Sequence, residues 1–122
     1  MSEDRKHLSL QEYAQFVVGL ASEATMENEK TRLTTTALGI TGEAGEVSEI
    51  VKKHLFHGKD FDRDAFLKEL SDCLWYITLG TKTVGAELQD LIDINVEKLS
   101  ARYKGGKFTK EEFLKKEQEK SS

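Results

Sequence analysis

Two pairs of acidic residues are the part of this chain that could do chemistry. Glu43 and Glu46 lie three residues apart, and so do Glu69 and Asp72 later in the chain. Residues three apart share one face of a helix, so two such helices side by side would gather four carboxylates. Burying that much like charge is prohibitive unless cations lie between the oxygens. The spacing therefore predicts a divalent metal site.

The ligand chemistry indicates which ion this site would hold. Carboxylates without thiolate or imidazole select a hard cation, so the predicted ion is Mg²⁺, with Mn²⁺ as the alternative. Mg²⁺ commonly shares its shell with substrate phosphates, which implies a phosphate ester or anhydride as substrate. Helical di-iron sites instead use Glu-x-x-His pairs. None of His7, His54 and His57 follows a glutamate at that spacing, which disfavours di-iron chemistry.

Acidic pairs at this spacing arise by chance in a chain with 22 acidic residues. The surrounding apolar pattern has to distinguish pairs that lie beside the core from pairs on a solvent-exposed face. Around the second pair, apolar residues point in nearly every direction, as in a helix surrounded by protein. Within that surface Glu69, Asp72 and Tyr76 form one polar stripe. Glu43 and Glu46 flank the core-forming side of their own helix, which consists of Ile40, Val47, Val51 and Leu55.

Three further residues near the first pair have two open interpretations each. Gly42 and Gly45 bracket Glu43, and each costs a helix up to about 1 kcal/mol relative to alanine. Either a helix or a substrate approaches the backbone closely there, or the helix starts late. Lys53 continues the stripe of Glu43 and is either a contact to the distal phosphates or an ordinary surface lysine.

A later helix offers polar and cationic groups along one edge. Asn95, Lys98 and Arg102 follow i, i+3, i+7 spacing beside its predicted buried side. Their position predicts contacts to the substrate. The alternatives are a core hydrogen bond for Asn95 and a rim of surface cations for the other two. The predicted buried side consists of Leu88, Leu91, Ile92, Val96 and Leu99.

Aromatic residues have less specific predictions. Trp75 is expected to point away from the acidic stripe, into the core or a dimer interface, with base stacking as the alternative. Tyr13, Phe16 and Val17 of the first helix are predicted core residues, and the wall of a base pocket is their alternative role.

The elements that position these residues are predicted to be helices. The chain has no proline and little strand-like alternation, which favours an all-α fold of four to five helices. Capping boxes begin at Ser9 and Thr109, and Gly85 and Gly105-Gly106 are predicted breaks. The predicted helices span about residues 9–24, 34–56, 63–84 and 86–103, with a short charged helix after residue 109 and a disordered end at 121–122.

Composition limits the class of protein. The 122 residues with a net charge of -4 predict one helical domain over 1–108, followed by the charged tail over 109–122. The charge provides no basic face for nucleic acid. Cys73 is alone, which excludes a disulfide framework. We expect a cytoplasmic protein without membrane association, because the N-terminus has no apolar signal core and no apolar run could span a bilayer.

Together, these motifs resemble a MazG-like, all-alpha nucleoside triphosphate pyrophosphohydrolase. The resemblance rests on the order Glu-x-x-Glu, then Glu-x-x-Asp, then Asn-x-x-Lys-x-x-x-Arg-Tyr. It spans roughly residues 38–108, which is most of the predicted folded part, and the matching stretches are 42–49, 69–76, 95–103 and 106–108.

This resemblance implies Mg²⁺-dependent hydrolysis of an NTP or dNTP to the monophosphate and pyrophosphate, by a homodimer or homotetramer completed through oligomerisation. Glu46 is the first candidate for orienting or deprotonating the water, and Glu69 is the second. The implied metal ligands are Glu43, Glu46, Glu69 and Asp72, and the implied substrate contacts are Tyr76, Asn95, Lys98 and Arg102, with Lys53 added from its stripe. The alternatives are a phosphoribosyl-ATP pyrophosphohydrolase and a non-catalytic helical interaction module.

Overall fold

The computed structural model describes residues 7–24, 27–102 and 110–121. Within these ranges the chain is all-α, with five helices and no strand, which confirms the predicted fold class. The chain divides between Glu87 and Leu88 into two compact units, the first with α1–α3 and the second with α4 and α5. The helices are α1 (Leu10–Glu23), α2 (Glu29–Phe56), α3 (Arg63–Thr83), α4 (Leu88–Arg102) and α5 (Lys110–Ser121).

The start of α1 is the capping box that the sequence predicts. The Ser9 hydroxyl accepts a hydrogen bond from the Glu12 amide at 3.1 Å, and the Glu12 carboxylate accepts one from the Ser9 amide at 3.0 Å. Both amides lack an intrahelical partner at a helix start, so this exchange satisfies two of the unpaired donors.

The predicted start of α2 is wrong by five or more residues. The helix begins at Glu29, and Asn28 caps it by accepting a hydrogen bond from the Thr31 amide at 2.7 Å. The first turn is exposed, so its polar composition does not argue against a helix. A late helix start therefore does not explain Gly42 and Gly45, which lie inside α2.

The helices α2 and α3 form an antiparallel hairpin with two points of close approach. A Cβ atom built on Gly39 would overlap the Tyr76 ring, and one built on Gly80 would lie 2.6 Å from Thr36 Cγ2. Glycine is needed where another side chain takes the space of a Cβ. No atom lies within 4 Å of the corresponding position at Gly42 or Gly45, so no helix among the described residues approaches them closely. The approach of a substrate to these glycines stays a prediction.

The core of the first unit lies where α1 packs against the C-terminal half of α3. Val17, Ala21 and Leu79 are fully buried there, and Tyr13 and Trp75 pack against them half-buried. The core role expected for Val17 is therefore confirmed. Phe16 is 55% exposed, so its predicted core role is wrong in the single chain, because it lies on the outer side of α1.

The prediction that α3 is surrounded by protein is wrong for the single chain. Its buried residues are Thr78, Leu79 and Thr81, all in the C-terminal half, and α2 has none among the residues described. On α2, Leu55 is 63% exposed although the helical pattern placed it in the core. One face of α3 remains apolar and accessible, with Leu67, Leu70, Leu74 and Ile77 between 36% and 45% exposed.

The end of α3 follows from Gly85. Its φ of 81° lies in the left-handed region, which a residue with a side chain adopts reluctantly. The Gly85 amide donates to the Lys82 carbonyl and the Ala86 amide donates to the Thr81 carbonyl, at 3.1 and 3.0 Å. This pair of bonds is the Schellman motif, which satisfies helix-terminal carbonyls. Because Ala86 completes α3, it does not begin α4 as predicted.

In the second unit, α4 begins at Leu88, which is buried, and α5 is attached to it by polar contacts. The Lys110 amide donates to Ser100 Oγ at 2.8 Å, and the Lys110 ammonium pairs with Glu97 at 3.1 Å. Leu91, Ile92 and Leu99, predicted on the buried side of α4, are 37% to 45% exposed.

The C-terminal predictions have mixed outcomes. The charged helix is present, and it includes Ser121, which we expected in a disordered end. The predicted helix stop at Gly105-Gly106 and the Thr109 capping box fall outside the described residues, as do Tyr103 and Ser122. None of the described helices has the length and apolarity that a membrane crossing requires. The single domain over 1–108 stays a prediction.

Candidate metal centre

Three of the four predicted carboxylates meet in the middle of the α2–α3 hairpin. Glu43 lies on α2, and Glu69 and Asp72 lie on successive turns of α3. Each offers one carboxylate oxygen such that the three atoms lie within 4.8 Å of one another. The antiparallel pairing that places Gly39 against Tyr76 also places Glu43 opposite the second acidic pair. The hairpin therefore builds the cluster from two short stretches of chain.

Glu43 is the most perturbed member of this cluster. The residue is half-buried, and its Oε2 atom is buried without a hydrogen-bond partner among the described residues. A hydrogen bond shared with Glu69 raises the pKa of Glu43 to about 7, with further contributions from burial and from the charges of Glu69, Asp72 and Glu46. Like charges held this close disfavour the ionised form of one member.

This cluster fits a hard divalent cation. All of its donors are carboxylate oxygens, which suit Mg²⁺ or Mn²⁺ and not a thiolate-seeking metal. A cation would partner the buried Oε2 of Glu43 and would remove the repulsion that raises its pKa. The oxygen donors and the unpartnered buried atom are two independent reasons to expect an ion here.

A cavity of ≈ 340 Å³ opens beside the cluster. Its lining residues are Glu43, Asp72, Trp75 and Tyr76. The rings of Trp75 and Tyr76 meet edge to face, with centroids 5.2 Å apart. The cavity wall thus combines two carboxylates with two aromatic rings. This shape suits a ligand with a flat apolar part and an anionic part bridged by a cation.

Trp75 contradicts one prediction and confirms another. It packs against the core as expected, but it does not point away from the acidic residues, because it also lines the cavity with Asp72. The spacing contained this signal, since Asp72 and Trp75 are three residues apart and so share a face of α3.

Tyr13 is a neighbour of the cluster that the sequence gave little reason to expect. Burial and the negative charge of Asp72 raise the pKa of Tyr13 above its ordinary value. The residue reaches this position because α1 packs on α3 next to Trp75. Only the packing of α1 on α3 creates this proximity, and the spacing within one helix cannot reveal it.

Two predicted site residues of α2 lie outside the group of three carboxylates. Glu46 is exposed and is not a member of that group, although its charge contributes to the raised pKa of Glu43. Lys53 is also exposed, and it follows Glu43 by ten residues, about 15 Å along a helix axis. Their assignments as ligand, catalytic residue and phosphate contact stay predictions.

The predicted substrate contacts on α4 belong to the second unit of the chain. Asn95, Lys98 and Arg102 are all exposed. The exposure of Asn95 argues against the alternative of a core hydrogen bond within its own unit. The proposed role of these three residues stays a prediction.

Comparison with models of protein families gives a match that covers more than half of the chain. The family model described as MazG nucleotide pyrophosphohydrolase domain matches residues 31–106. This span contains nearly all of α2, all of α3 and α4, and both acidic pairs. Neither the curated proteins nor the solved structures give a match to the chain.

Proposed function

The chain belongs to the family of MazG nucleotide pyrophosphohydrolase domains, and from this premise we propose that it hydrolyses a nucleoside triphosphate with Mg²⁺. The family makes it a hydrolase that acts on phosphoric anhydride bonds of a nucleotide. The proposed substrate is an NTP or dNTP, and the proposed products are the monophosphate and pyrophosphate. The predicted family resemblance is thereby confirmed.

The observation that carries the proposal is the group of three carboxylates with one buried, unpartnered oxygen. Glu43, Glu69 and Asp72 lie within reach of a single ion. The pKa of Glu43 is raised to about 7 by the hydrogen bond with Glu69, by burial and by the neighbouring carboxylates, which supports a shared site. Such an arrangement destabilises a protein unless a ligand compensates. We assign these three residues as the metal ligands.

The residues around the cluster have separate proposed tasks. A bound Mg²⁺ would lower the pKa of an attacking water and offset the charge that develops on the departing pyrophosphate. Glu46 is exposed and lies one turn from Glu43, which suits it to orient that water or accept its proton. Glu69, the second catalytic candidate, would act mainly as a ligand. Glu46 as a fourth ligand is the alternative.

The cavity beside the carboxylates is the proposed place of the nucleotide. Tyr76 and Trp75 supply flat apolar walls for the base, next to the carboxylates that would hold the ion and, through it, the phosphates. The base-stacking alternative for Trp75 is thus favoured by its place in the cavity wall. The proposed phosphate contacts are Lys53, Asn95, Lys98 and Arg102.

We further propose that the chain forms a homodimer or homotetramer. The accessible apolar face of α3, formed by Leu67, Leu70, Leu74 and Ile77, recurs at helical spacing and so forms a continuous stripe. Contiguous apolar faces of this kind usually mark protein contacts. Light scattering coupled to size exclusion measures the mass. A monomer at micromolar concentration would contradict the proposal.

The activity is tested by a screen for pyrophosphate release. Purified protein is incubated with each NTP and dNTP and with phosphoribosyl-ATP, in Mg²⁺, Mn²⁺ or EDTA. We expect one monophosphate per pyrophosphate for at least one nucleoside triphosphate, and no release in EDTA. Release only from phosphoribosyl-ATP would favour that alternative enzyme. Release of orthophosphate, or no product at all, would contradict the proposal.

Thermal melts distinguish the enzyme from a helical interaction module. A ligand that binds only the folded state raises stability by about 2.7 kcal/mol at a hundredfold excess over its Kd. We therefore expect the Tm to rise with Mn²⁺ or Mg²⁺ concentration. If Tm does not change up to tens of millimolar, the acidic cluster binds no metal and the interaction module is favoured.

A further inference from the structure

The contact between Gly39 and Tyr76 controls the shape of the cavity. A Cβ on Gly39 would overlap three atoms of the tyrosine ring: Cγ, Cδ1 and Cε1. The ring therefore lies directly on the backbone of α2, in space that the side chain of any other residue would fill. Because interiors are close-packed, an added methyl group there has to displace the ring.

The same ring is constrained on a second side and forms part of the cavity wall. Trp75 meets it at an interplanar angle of 83°, which is a favourable edge-to-face geometry. Tyr76 lines the cavity together with Glu43 and Asp72. Gly39 precedes Glu43 by four residues, so both lie on the face of α2 that meets α3. The backbone under the ring and the first carboxylate are thus one helical turn apart.

We propose that Gly39 is a positioning residue for the hydrolysis: by lacking a side chain, it fixes the Tyr76 ring as the wall against which the nucleotide base binds. This inference rests on the proposed function, in which the nucleotide occupies the cavity. Alanine at position 39 pushes the ring off α2 and changes the cavity, while Glu43, Glu69 and Asp72 keep their backbone positions. Nucleotide binding then weakens and metal binding does not.

The second close approach of the hairpin provides a matched control. Gly80 lies under Thr36 as Gly39 lies under Tyr76, so Gly80→Ala also inserts a methyl group between α2 and α3. Neither Gly80 nor Thr36 lines the cavity. The two substitutions therefore disturb the same helix pair by the same chemical change, and only one of them acts on the cavity wall.

The experiment compares Gly39→Ala, Gly80→Ala and the unmodified full chain. Steady-state kinetics use the nucleotide that the unmodified chain hydrolyses fastest. Calorimetry measures Mn²⁺ affinity, and fluorescence reports on Trp75, the single tryptophan of the chain. For Gly39→Ala we expect KM to rise about tenfold or more, with an unchanged Mn²⁺ affinity, a smaller effect on kcat and a shifted Trp75 emission. Gly80→Ala should lower Tm but keep KM and the emission.

Two results would overturn the inference: an unchanged KM and emission in Gly39→Ala, or the same changes in both alanine variants. The second result would mean that the hairpin tolerates no methyl group anywhere and that Gly39 is only a packing residue.

A further pair of variants covers the case in which Gly39→Ala fails to fold. In the Tyr76→Ala background the ring is absent, so adding Gly39→Ala should not lower Tm further. An equal loss of Tm with and without the ring would also overturn the inference. If the unmodified chain hydrolyses no nucleotide, the proposed function fails. The claim that the Tyr76 ring binds the nucleotide base then fails with it. Two measurements still decide whether Gly39 positions Tyr76: the Trp75 emission without nucleotide, and the change in Tm caused by Gly39→Ala with and without the Tyr76 ring.

Discussion

Two regions of the first unit differ in whether their buried polar groups have hydrogen-bond partners. In the C-terminal half of α3, next to buried Leu79, the hydroxyls of Thr78 and Thr81 donate to the carbonyls of Leu74 and Ile77 at 2.7 Å. Both threonines are buried, and each is satisfied by its own helix. Further toward the middle of the hairpin, Glu43 Oε2 and Trp75 Nε1 are buried without partners among the described residues.

The difference indicates that one region contributes mainly to stability and the other to chemistry. Buried polar groups are nearly always hydrogen-bonded, and those that are not usually mark a functional site. The last turns of α3, around Thr78, Leu79 and Thr81, need no ligand, since these residues are buried and both hydroxyls are hydrogen-bonded. The acidic half gathers like charges and leaves buried polar atoms unsatisfied, and a bound ion and substrate would complete it. Three substitution experiments test this division, from the largest expected effect to the smallest.

The largest effect is expected from the carboxylates of α3. Glu69→Gln and Asp72→Asn each remove a ligand charge without changing the shape of the side chain, so pyrophosphate release should fall by at least about 10³-fold. The Tm without metal should not fall, because a repulsion is removed. Glu49→Gln is the control, since Glu49 is exposed on α2 and pairs with Lys52 at 3.8 Å. Activity retained in both ligand variants would refute the site assignment.

In the other half, Leu79→Ala should destabilise the protein without acting on the site directly. Removing a fully buried leucine costs about 2–5 kcal/mol. Gln15→Ala, on the exposed side of α1, should stay within about 0.5 kcal/mol. Urea unfolding measures both, and the folded Leu79→Ala protein should keep its rise in Tm with Mn²⁺. Loss of that rise would show that the two halves are not separable.

The smallest effect concerns pH and the metal-free protein. The pKa of Glu43 is about 7 in the folded chain, above its ordinary value of 4.5, so the folded state holds this proton more tightly than the unfolded state. Its contribution to stability is therefore present below pH 4.5 and is lost as pH rises through 7. The decline should be weaker in Glu43→Gln, as measured by Tm at successive pH values. A decline of equal size in both proteins would contradict the assignment.

With metal present, the pH dependence should reverse. The ion competes with the proton for the same carboxyl oxygens, so the rise in Tm caused by Mn²⁺ should be larger at pH 8 than at pH 6.

Local sequence signals predicted the helix ends that depend on a few neighbouring residues. The Ser9 capping box and the break at Gly85 are both present, because each is formed by hydrogen bonds between near neighbours in the chain. Asn28 is a cap of the same kind. It was missed because the first turn of α2 is exposed and carries no apolar periodicity.

The candidate site was predictable where it depends on spacing within a helix, and unpredictable where it depends on pairing between helices. The spacing of Glu69 and Asp72 placed both on one face. Which glycine of α2 faces a neighbouring ring depends on the register of the hairpin, so Gly39 could not be distinguished from Gly42. The exposure of the α3 leucines was unpredictable for a similar reason, since a helical wheel identifies an apolar face but not what lies against it.

The hairpin also has a consequence for how the protein folds. All three clustered carboxylates and both close approaches lie within α2 and α3, which are joined by a short turn. Near this turn His54 Nδ1–H donates a hydrogen bond to the Lys59 carbonyl at 2.9 Å. The Phe61 ring meets the His54 ring edge to face and the Phe66 ring at a tilt, with centroids 5.6 and 5.2 Å away. Contacts so near in sequence form with little loss of chain entropy. Electrostatic repulsion then opposes the last step of hairpin closure, and divalent ions should accelerate refolding in stopped-flow measurements.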